Sequence, residues 1–305
     1  MLTMAGVWSL LRLPGASLQM VSFAFLTSSM LFDVQSFSLK LRRVGFMAAG
    51  AALVGFSMGV TADLPLLRII LSALLSFFIL AASPDRQTAI IILLTGYLTL
   101  FSASGFQVSL NRCADIFFAA AVTLVVTGVV NLFLGGGNSV PAGKPYSLRH
   151  AAIITAELTC CFIISLVFRH EQNAWLMLTV LFIHLAKTPA GLLKKLAEQR
   201  IAAVPLGIVP AGILLASLCS TDYRWIYITP FTATLGFFIL YRKGDFFYFT
   251  ILFMFSLTVL TDWLTGTGNR FNFVGLLLSR SIATVIGVVI LQCGAFLMKE
   301  ESELL

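Results

Sequence analysis

Residues 150–187 read HAAIITAELTCCFIISLVFRHEQNAWLMLTVLFIHLAK. The run 151–168 is apolar apart from Glu157 and scattered threonine, serine and cysteine side chains. A polar connector, Arg169-His170-Glu171-Gln172-Asn173, follows, and the chain is apolar again up to Lys187, with His184 as the exception. A helix that crosses a bilayer needs about 20 predominantly apolar residues, with about 17–25 usual. This stretch therefore predicts two passes, near 150–168 and 173–187. Working outward, charges and Pro/Gly clusters cut the rest into spans near 16–35, 44–61, 66–83, 88–105 and 113–135 on one side. On the other side they give 200–218, 224–241, 246–263 and 274–298. The expectation is an all-α polytopic membrane protein with eleven transmembrane helices, or twelve if residues 1–13 also span. No basic region precedes residues 1–13 and no small-residue cleavage site follows, so they are read as mature chain and not as a signal peptide.

Composition agrees. Of 305 residues, 59% are apolar and 11% charged, against about 45–50% and about 25% in globular proteins. So few charges cannot form the skin of a soluble domain. This excludes a soluble enzyme, a nucleic-acid-binding domain and a disordered chain. The net charge of +7 is spread along the chain and reads as loop charge. The five cysteines lie in or beside apolar runs with no CxxC spacing, so they read as packing residues, with no metal or disulfide framework.

Assigning loops alternately to two sides divides the 20 basic residues 13 to 7 and puts every lysine on the richer side. By the positive-inside rule that side is cytoplasmic, and so is the C-terminus. The break 135–145, rich in glycine and proline, halves the chain. A shift of 157 residues lays Arg43 on Arg200, Gly50 on Gly207, Gly55 on Gly212 and Arg86 on Lys243. A shift of 168 lays Arg112 on Arg280 and Ala119 on Gly287. Equivalent spans lie six apart, which predicts two parallel repeats of about six helices related by an axis along the membrane normal. The organisation expected is a first repeat over 1–135, its first helix short or absent, and a cytoplasmic linker over 136–148. A second repeat over 149–298 and an acidic tail over 299–305 follow. Gly50, Gly55, Gly207, Gly212 and Gly287 are read as close-packing positions, because small residues drive helix association in lipid. Pro205 and Pro210 each free a carbonyl on the glycine-bearing helix.

The second half resembles the fusaric acid resistance and aromatic acid exporter (FUSC-like) family. The residues that carry the likeness are Ala174-Trp175-Leu176-Met177-Leu178-Thr179, Lys187-Thr188-Pro189-Ala190 and Gln199-Arg200-Ile201. Ser279-Arg280-Ser281-Ile282-Ala283-Thr284, closed by Gly287, is similar to that family's arginine–threonine–glycine helix. The resemblance implies two six-helix halves in the bacterial inner membrane and proton-driven export of aromatic carboxylates and related toxic compounds. It also implies a periplasmic adaptor as partner. Plant aluminium-activated malate channels look distantly similar. The small size of the chain points to a homodimer.

Charged groups at bilayer depth are costly and mark function by default. Glu157, about seven residues into its span, is a proton-binding candidate; the alternative is a neutral, hydrogen-bonded structural carboxyl. His184 suits a proton relay, or simply a cross-helix hydrogen bond. Arg112 and Arg280, related by the repeat and read at helix N-termini, are candidates for binding a substrate carboxylate; the alternative is snorkelling, with Arg112 bonded to Asp115. Arg43 and Arg200 read as topology anchors. Thr95-Gly96-Tyr97 and Thr229-Pro230 read as interruptions of their spans.

The chain has no HExxH, GxSxG, Walker or dinucleotide-binding motif. Neither enzymatic activity nor a cofactor is expected. The function expected is secondary export of a small organic anion. An anion channel, and a non-transporting component of an envelope- or lipid-modifying system, stay open beside it.

Overall fold

The computed structural model describes residues 37–98, 106–134, 145–168, 174–185, 193–217, 228–243, 245–265 and 273–299, with residues 23 and 27. Its helices are α1 (Phe37–Val60), α2 (Pro65–Ala82), α3 (Arg86–Tyr97), α4 (Phe106–Leu134) and α5 (Leu148–Phe168). They continue with α6 (Ala174–Leu185), α7 (Leu193–Ser217), α8 (Ile228–Lys243), α9 (Phe246–Thr265) and α10 (Phe273–Lys299). Six stretches within them are long and apolar enough to cross a membrane: Ser38–Val60, Pro65–Ala82, Phe106–Val129, Leu148–Val167, Lys194–Leu215 and Leu277–Leu297. The chain is a multi-pass helical membrane protein. Residues 1–13, the expected span 16–35 apart from Phe23 and Thr27, most of the 136–148 linker and the acidic tail beyond Lys299 lie outside the described residues.

The helices fall into two compact units, residues 2–187 and 188–305. In the first, α1 packs on α3 and α4, α2 on α5, and α6 on both α3 and α5. Thus α5 and α6, which follow the Gly/Pro break in sequence, pack with helices that precede it. In the second, α7 packs on α9 and α10, and α8 on α9.

Helix α3 is shorter than the span 88–105 expected there: it has 12 residues, about 18 Å at 1.5 Å per residue, well under the roughly 30 Å of a hydrocarbon core. The described helix α6 falls within the expected span 173–187. Helix α3 stops at Gly96-Tyr97, where the sequence expected an interruption. The described part of α8 begins at Ile228 and includes Thr229 and Pro230, so the interruption expected there falls at the edge of the described residues, with 218–227 outside them.

Glycines mark where helices meet. A Cβ on Gly50 would stand 2.9 Å from the Cγ2 of Ile92, across the α1–α3 contact. One on Gly207 would stand 2.5 Å from the Ile251 carbonyl oxygen and 2.8 Å from the Cβ of Met254, across the α7–α9 contact. Gly55, Gly212 and Gly287 are also buried. Gly45 differs, with nothing within 4 Å of where its Cβ would lie. Pro205 and Pro210 stand inside α7, on either side of Gly207.

Candidate proton and anion sites

Helices α5 and α6 bring Glu157 and His184 together. The Oε2 of Glu157 lies 2.9 Å from the Nε2 of His184, and the two side chains are 3% and 6% exposed. Removing two ionisable groups from water is expensive, and their mutual hydrogen bond recovers part of that cost. The pair is one acid–base unit. With a proton on His184 Nε2 the imidazole donates to the carboxylate; with the proton on the carboxyl, the same bond runs the other way. The second carboxylate oxygen, Oε1, is buried and has no hydrogen-bond partner among the described residues. Cys161, one turn further along α5, is buried too.

Beyond the start of α5, Tyr146 is buried and receives the Arg86 guanidinium over its ring, 5.1 Å from the centroid. Burial pushes the pKa of its phenol up; the charge of Arg86 pulls it back, and the Glu157 carboxylate adds to the rise. Ser147 caps α5, its Oγ accepting from the His150 backbone N–H at 3.3 Å.

The N-terminus of α3 is held in the same way. The Oδ1 of Asp85 accepts from the Thr88 backbone N–H at 2.9 Å, a side-chain cap. Its Oδ2 accepts from Arg43 Nη2 at 2.6 Å and from the Thr88 hydroxyl at 2.8 Å. Arg43, read from sequence as a topology anchor, therefore ties α1 to α3. At the other end of α3, Tyr97 is fully buried. Its hydroxyl donates to the Ser72 carbonyl at 3.2 Å and lies 2.6 Å from the hydroxyls of both Ser72 and Ser76.

Arg112 and Arg280 fall in different units. Both stand about two turns inside their helices, because α4 begins at Phe106 and α10 at Phe273. The dipole argument made from sequence is corrected here, since that field fades within the first turn. Arg112 is half-buried and feels the charge of Asp115, one turn on. Arg280 is 1% exposed, and its Nη1 donates to the Thr258 hydroxyl on α9 at 2.7 Å. Arg200, on α7 of the same unit, is buried to the same degree.

Sequence reasoning picked out Glu157 and His184 singly and missed their partnership. It also missed the Asp85 clasp, the Arg86–Tyr146 contact and the Tyr97 cluster. Two signals were available: an aspartate three residues before Thr88 at a helix start, and two serines four residues apart on one face of α2.

Residues 159–293 match the model of a family described as fusaric acid resistance protein-like. No curated protein and no solved structure matches the chain. The matched stretch runs from the middle of α5 to near the end of α10, so it includes His184, Arg200 and Arg280 and begins two residues after Glu157.

Proposed function

Because residues 159–293 match the fusaric acid resistance protein-like family model, we propose that the chain is a secondary transporter of the bacterial inner membrane. In this reading it exports a small organic acid, aromatic acids foremost, against proton entry. The observation that carries it is the buried Glu157–His184 hydrogen bond. A buried carboxylate–imidazole pair that accepts one proton passes from net negative to net neutral, which is the charge step a proton-coupled carrier needs. The unpartnered Oε1 of Glu157 gives the pair a second face for receiving or releasing that proton. Arg112 and Arg280 are the anion-binding candidates of this reading, each within its own unit, and the C-terminus is cytoplasmic.

The parallel duplication belongs to the same proposal, with eleven spans or twelve. Matched features support it. The pairing of α1 with α3 and α4 repeats as α7 with α9 and α10. Gly50 and Gly207, equivalent by sequence, both lie at the first of those contacts. Aspartates cap both α3 and α9, Asp85 accepting from Thr88 N–H and Asp245 from Tyr248 N–H. A homodimer and a periplasmic adaptor complete the assembly proposed.

The test is counterflow in inverted vesicles from a strain lacking the native gene. Acid-dependent accumulation of benzoate under an imposed proton gradient is expected for the natural protein and is expected to vanish for Glu157→Gln. Proton-coupled accumulation by Glu157→Gln at the natural rate would overturn the coupling assignment. Steady anion current without proton flux would make the protein a channel.

A further inference from the structure

Asp85 and Arg86 are adjacent at the start of α3, and they hold two different helices. Asp85 takes Arg43 of α1. Arg86 is exposed, yet its guanidinium carbon lies 5.1 Å from the centroid of the Tyr146 ring, inside the roughly 6 Å reach of a cation–π contact. Tyr146 is buried and stands just before Ser147, the cap of α5. The Ser147 carbonyl accepts from the Ala151 N–H at 2.9 Å, so the first turn of α5 fixes where the ring lies. The contact crosses a seam. Helix α3 packs on α1, α2 and α6, and α5 packs on α2 and α6, but among the described residues α3 and α5 do not pack extensively on each other. Helix α6 lies against both and carries His184. A way in between α3 and α5 from this end leads toward the Glu157–His184 pair, and Arg86 and Tyr146 stand at its mouth.

Glu157 lies nine residues beyond Leu148, about 14 Å along α5 at 1.5 Å per residue. His150, Ile154 and Glu157 recur at four- and three-residue spacing and share a face of that helix. Ile154, between the mouth and the pair, is fully buried. Burial raises the pKa of the Tyr146 phenol, which stays protonated, so Arg86 is the one charge in the contact. Around it, Arg43 and Asp85 neutralise one another, and α1 adds the buried Lys40. Helix α2 brings Arg68, whose guanidinium lies over the Phe162 ring of α5. Helix α5 itself carries the exposed Arg149, the thiols of Cys160 and Cys161, and His150, whose Nδ1 lies 2.6 Å from the Ser147 hydroxyl. Of these groups and the pair, only the pair changes charge when the transported proton arrives. Net negative, it draws Arg86 inward onto the ring; neutral, it does not. An exposed cation–π contact is weak alone, because water competes for the guanidinium. We propose that Arg86 and Tyr146 form the cytoplasmic closure over the Glu157–His184 pair, held shut by the pair's negative charge and released when the pair takes its proton. The closure rests on the carrier reading and deepens it: a proton arriving from the periplasm opens the cytoplasmic side, where it is released.

The experiment is labelling of the thiol introduced by Ile154→Cys with a membrane-impermeant methanethiosulfonate, read by peptide mass spectrometry. It is run in inverted vesicles, which present the cytoplasmic face, and in right-side-out vesicles, at one pH so that His150 and the thiol keep their own protonation. With no further substitution the labelling should be slow. Tyr146→Ala and Arg86→Gln should speed it in inverted vesicles by about tenfold or more, as expected when an open form of roughly 10% or less becomes the main one. Right-side-out vesicles should show no change. Arg86 is exposed, so Arg86→Gln tests the closure without disturbing the core. Tyr146→Phe keeps the ring and should label at the natural rate. Glu157→Gln, neutral like the protonated pair, should speed labelling too, and should add nothing once Tyr146→Ala is present. Labelling at the natural rate in Tyr146→Ala or Arg86→Gln would overturn the closure, and so would equal acceleration from both faces, the mark of general loosening. An unchanged rate in Glu157→Gln removes the charge control and overturns the proposal as well. The two readings fail separately. Lost benzoate accumulation in Glu157→Gln with natural-rate labelling in Tyr146→Ala sinks the closure alone. Natural accumulation in Glu157→Gln with faster labelling in all three variants sinks the proton coupling and leaves the closure standing.

Discussion

Helices α2 and α3 are neighbours in one unit and solve opposite problems. Helix α2 turns Leu66, Ile70, Leu74 and Phe78 outward, each at least 49% exposed, and buries Ser72 and Ser76. In water that arrangement would be inside out. In lipid it is the stable one, because hydrocarbon accepts leucine and isoleucine freely and a hydroxyl needs a protein partner. Helix α3 has no lipid face at all: every residue from Gln87 to Tyr97 is buried. Its polar groups are met one by one, Asp85 by Arg43, Thr88 by Asp85 and Tyr97 by two serines. Helix α6, buried from Trp175 to Ile183, carries His184. The long helices thus supply the surface that lipid wets, and on their inner faces they supply partners for the polar groups of the enclosed ones, Glu157 of α5 for His184 and Ser72 and Ser76 of α2 for Tyr97. Substitutions on the two classes should therefore differ more in cost than their chemistry alone suggests.

The largest effect is expected at His184. His184→Ala leaves the Glu157 carboxyl buried with neither oxygen paired, and breaking a buried pair from one side typically costs about 3–5 kcal/mol. The double variant Glu157→Gln with His184→Ala should recover part of that loss, since no charge is then stranded. Thermal unfolding of the detergent-solubilised protein measures both. If the double variant were as unstable as the sum of the singles, the two side chains would not be energetically coupled. Asp85→Ala comes next. It removes a helix cap, worth about 0.5–2 kcal/mol, and strands Arg43, so a loss of about 2 kcal/mol is expected. Asp85→Asn keeps a capping oxygen and should lie between Asp85→Ala and the natural protein.

The membrane character was legible because it needs no periodicity. Long apolar runs and lysines confined to one set of loops suffice. Glu157 and His184 were legible for a related reason, as ionisable groups inside such runs. Their contact was not. It depends on which faces α5 and α6 turn to each other, and runs apolar on all sides carry no stripe to say so. The end of α3 was half legible: Thr95-Gly96-Tyr97 read as an interruption, but the sequence stays uncharged to residue 104, so nothing in it marked Tyr97 as the end of the helix. The glycines were read as one class, yet Gly50 and Gly207 lie at helix contacts and Gly45 faces open space. Arg43 was read as an orientation signal. Positive-inside bias and ion pairing draw on the same charges, and only the position of Asp85 separates the two roles.

Smaller effects sharpen the contrast between enclosed and lipid-facing positions. Gly96→Ala, on α3, places a Cβ 2.6 Å from both Cβ and Cγ1 of Val54, with the Ala51 carbonyl oxygen at 3.3 Å. A β-branched valine on a packed helix has little room to turn away, so the backbones must separate, at about 1–3 kcal/mol. Tyr97→Phe removes one hydroxyl from the serine cluster. Ser72 and Ser76 can then turn to carbonyls one turn back on α2, so the loss should be near 1 kcal/mol.

Gly45→Ala closes the series at the smallest effect. Gly45 lies on α1, five residues before Gly50, with the exposed Phe46 beside it. A Cβ there meets nothing within 4 Å, so no neighbour has to move. Alanine also loses less backbone freedom than glycine on becoming helical, a difference of up to about 1 kcal/mol in water-exposed helices. In a bilayer the unfolded reference is already helical, so most of that gain disappears and the expected change in thermal midpoint is close to zero. A clear loss at Gly45→Ala would place a second helix against that face of α1. The face would then be an interface, and the division into enclosed and lipid-facing helices would have to be redrawn at α1 before α3.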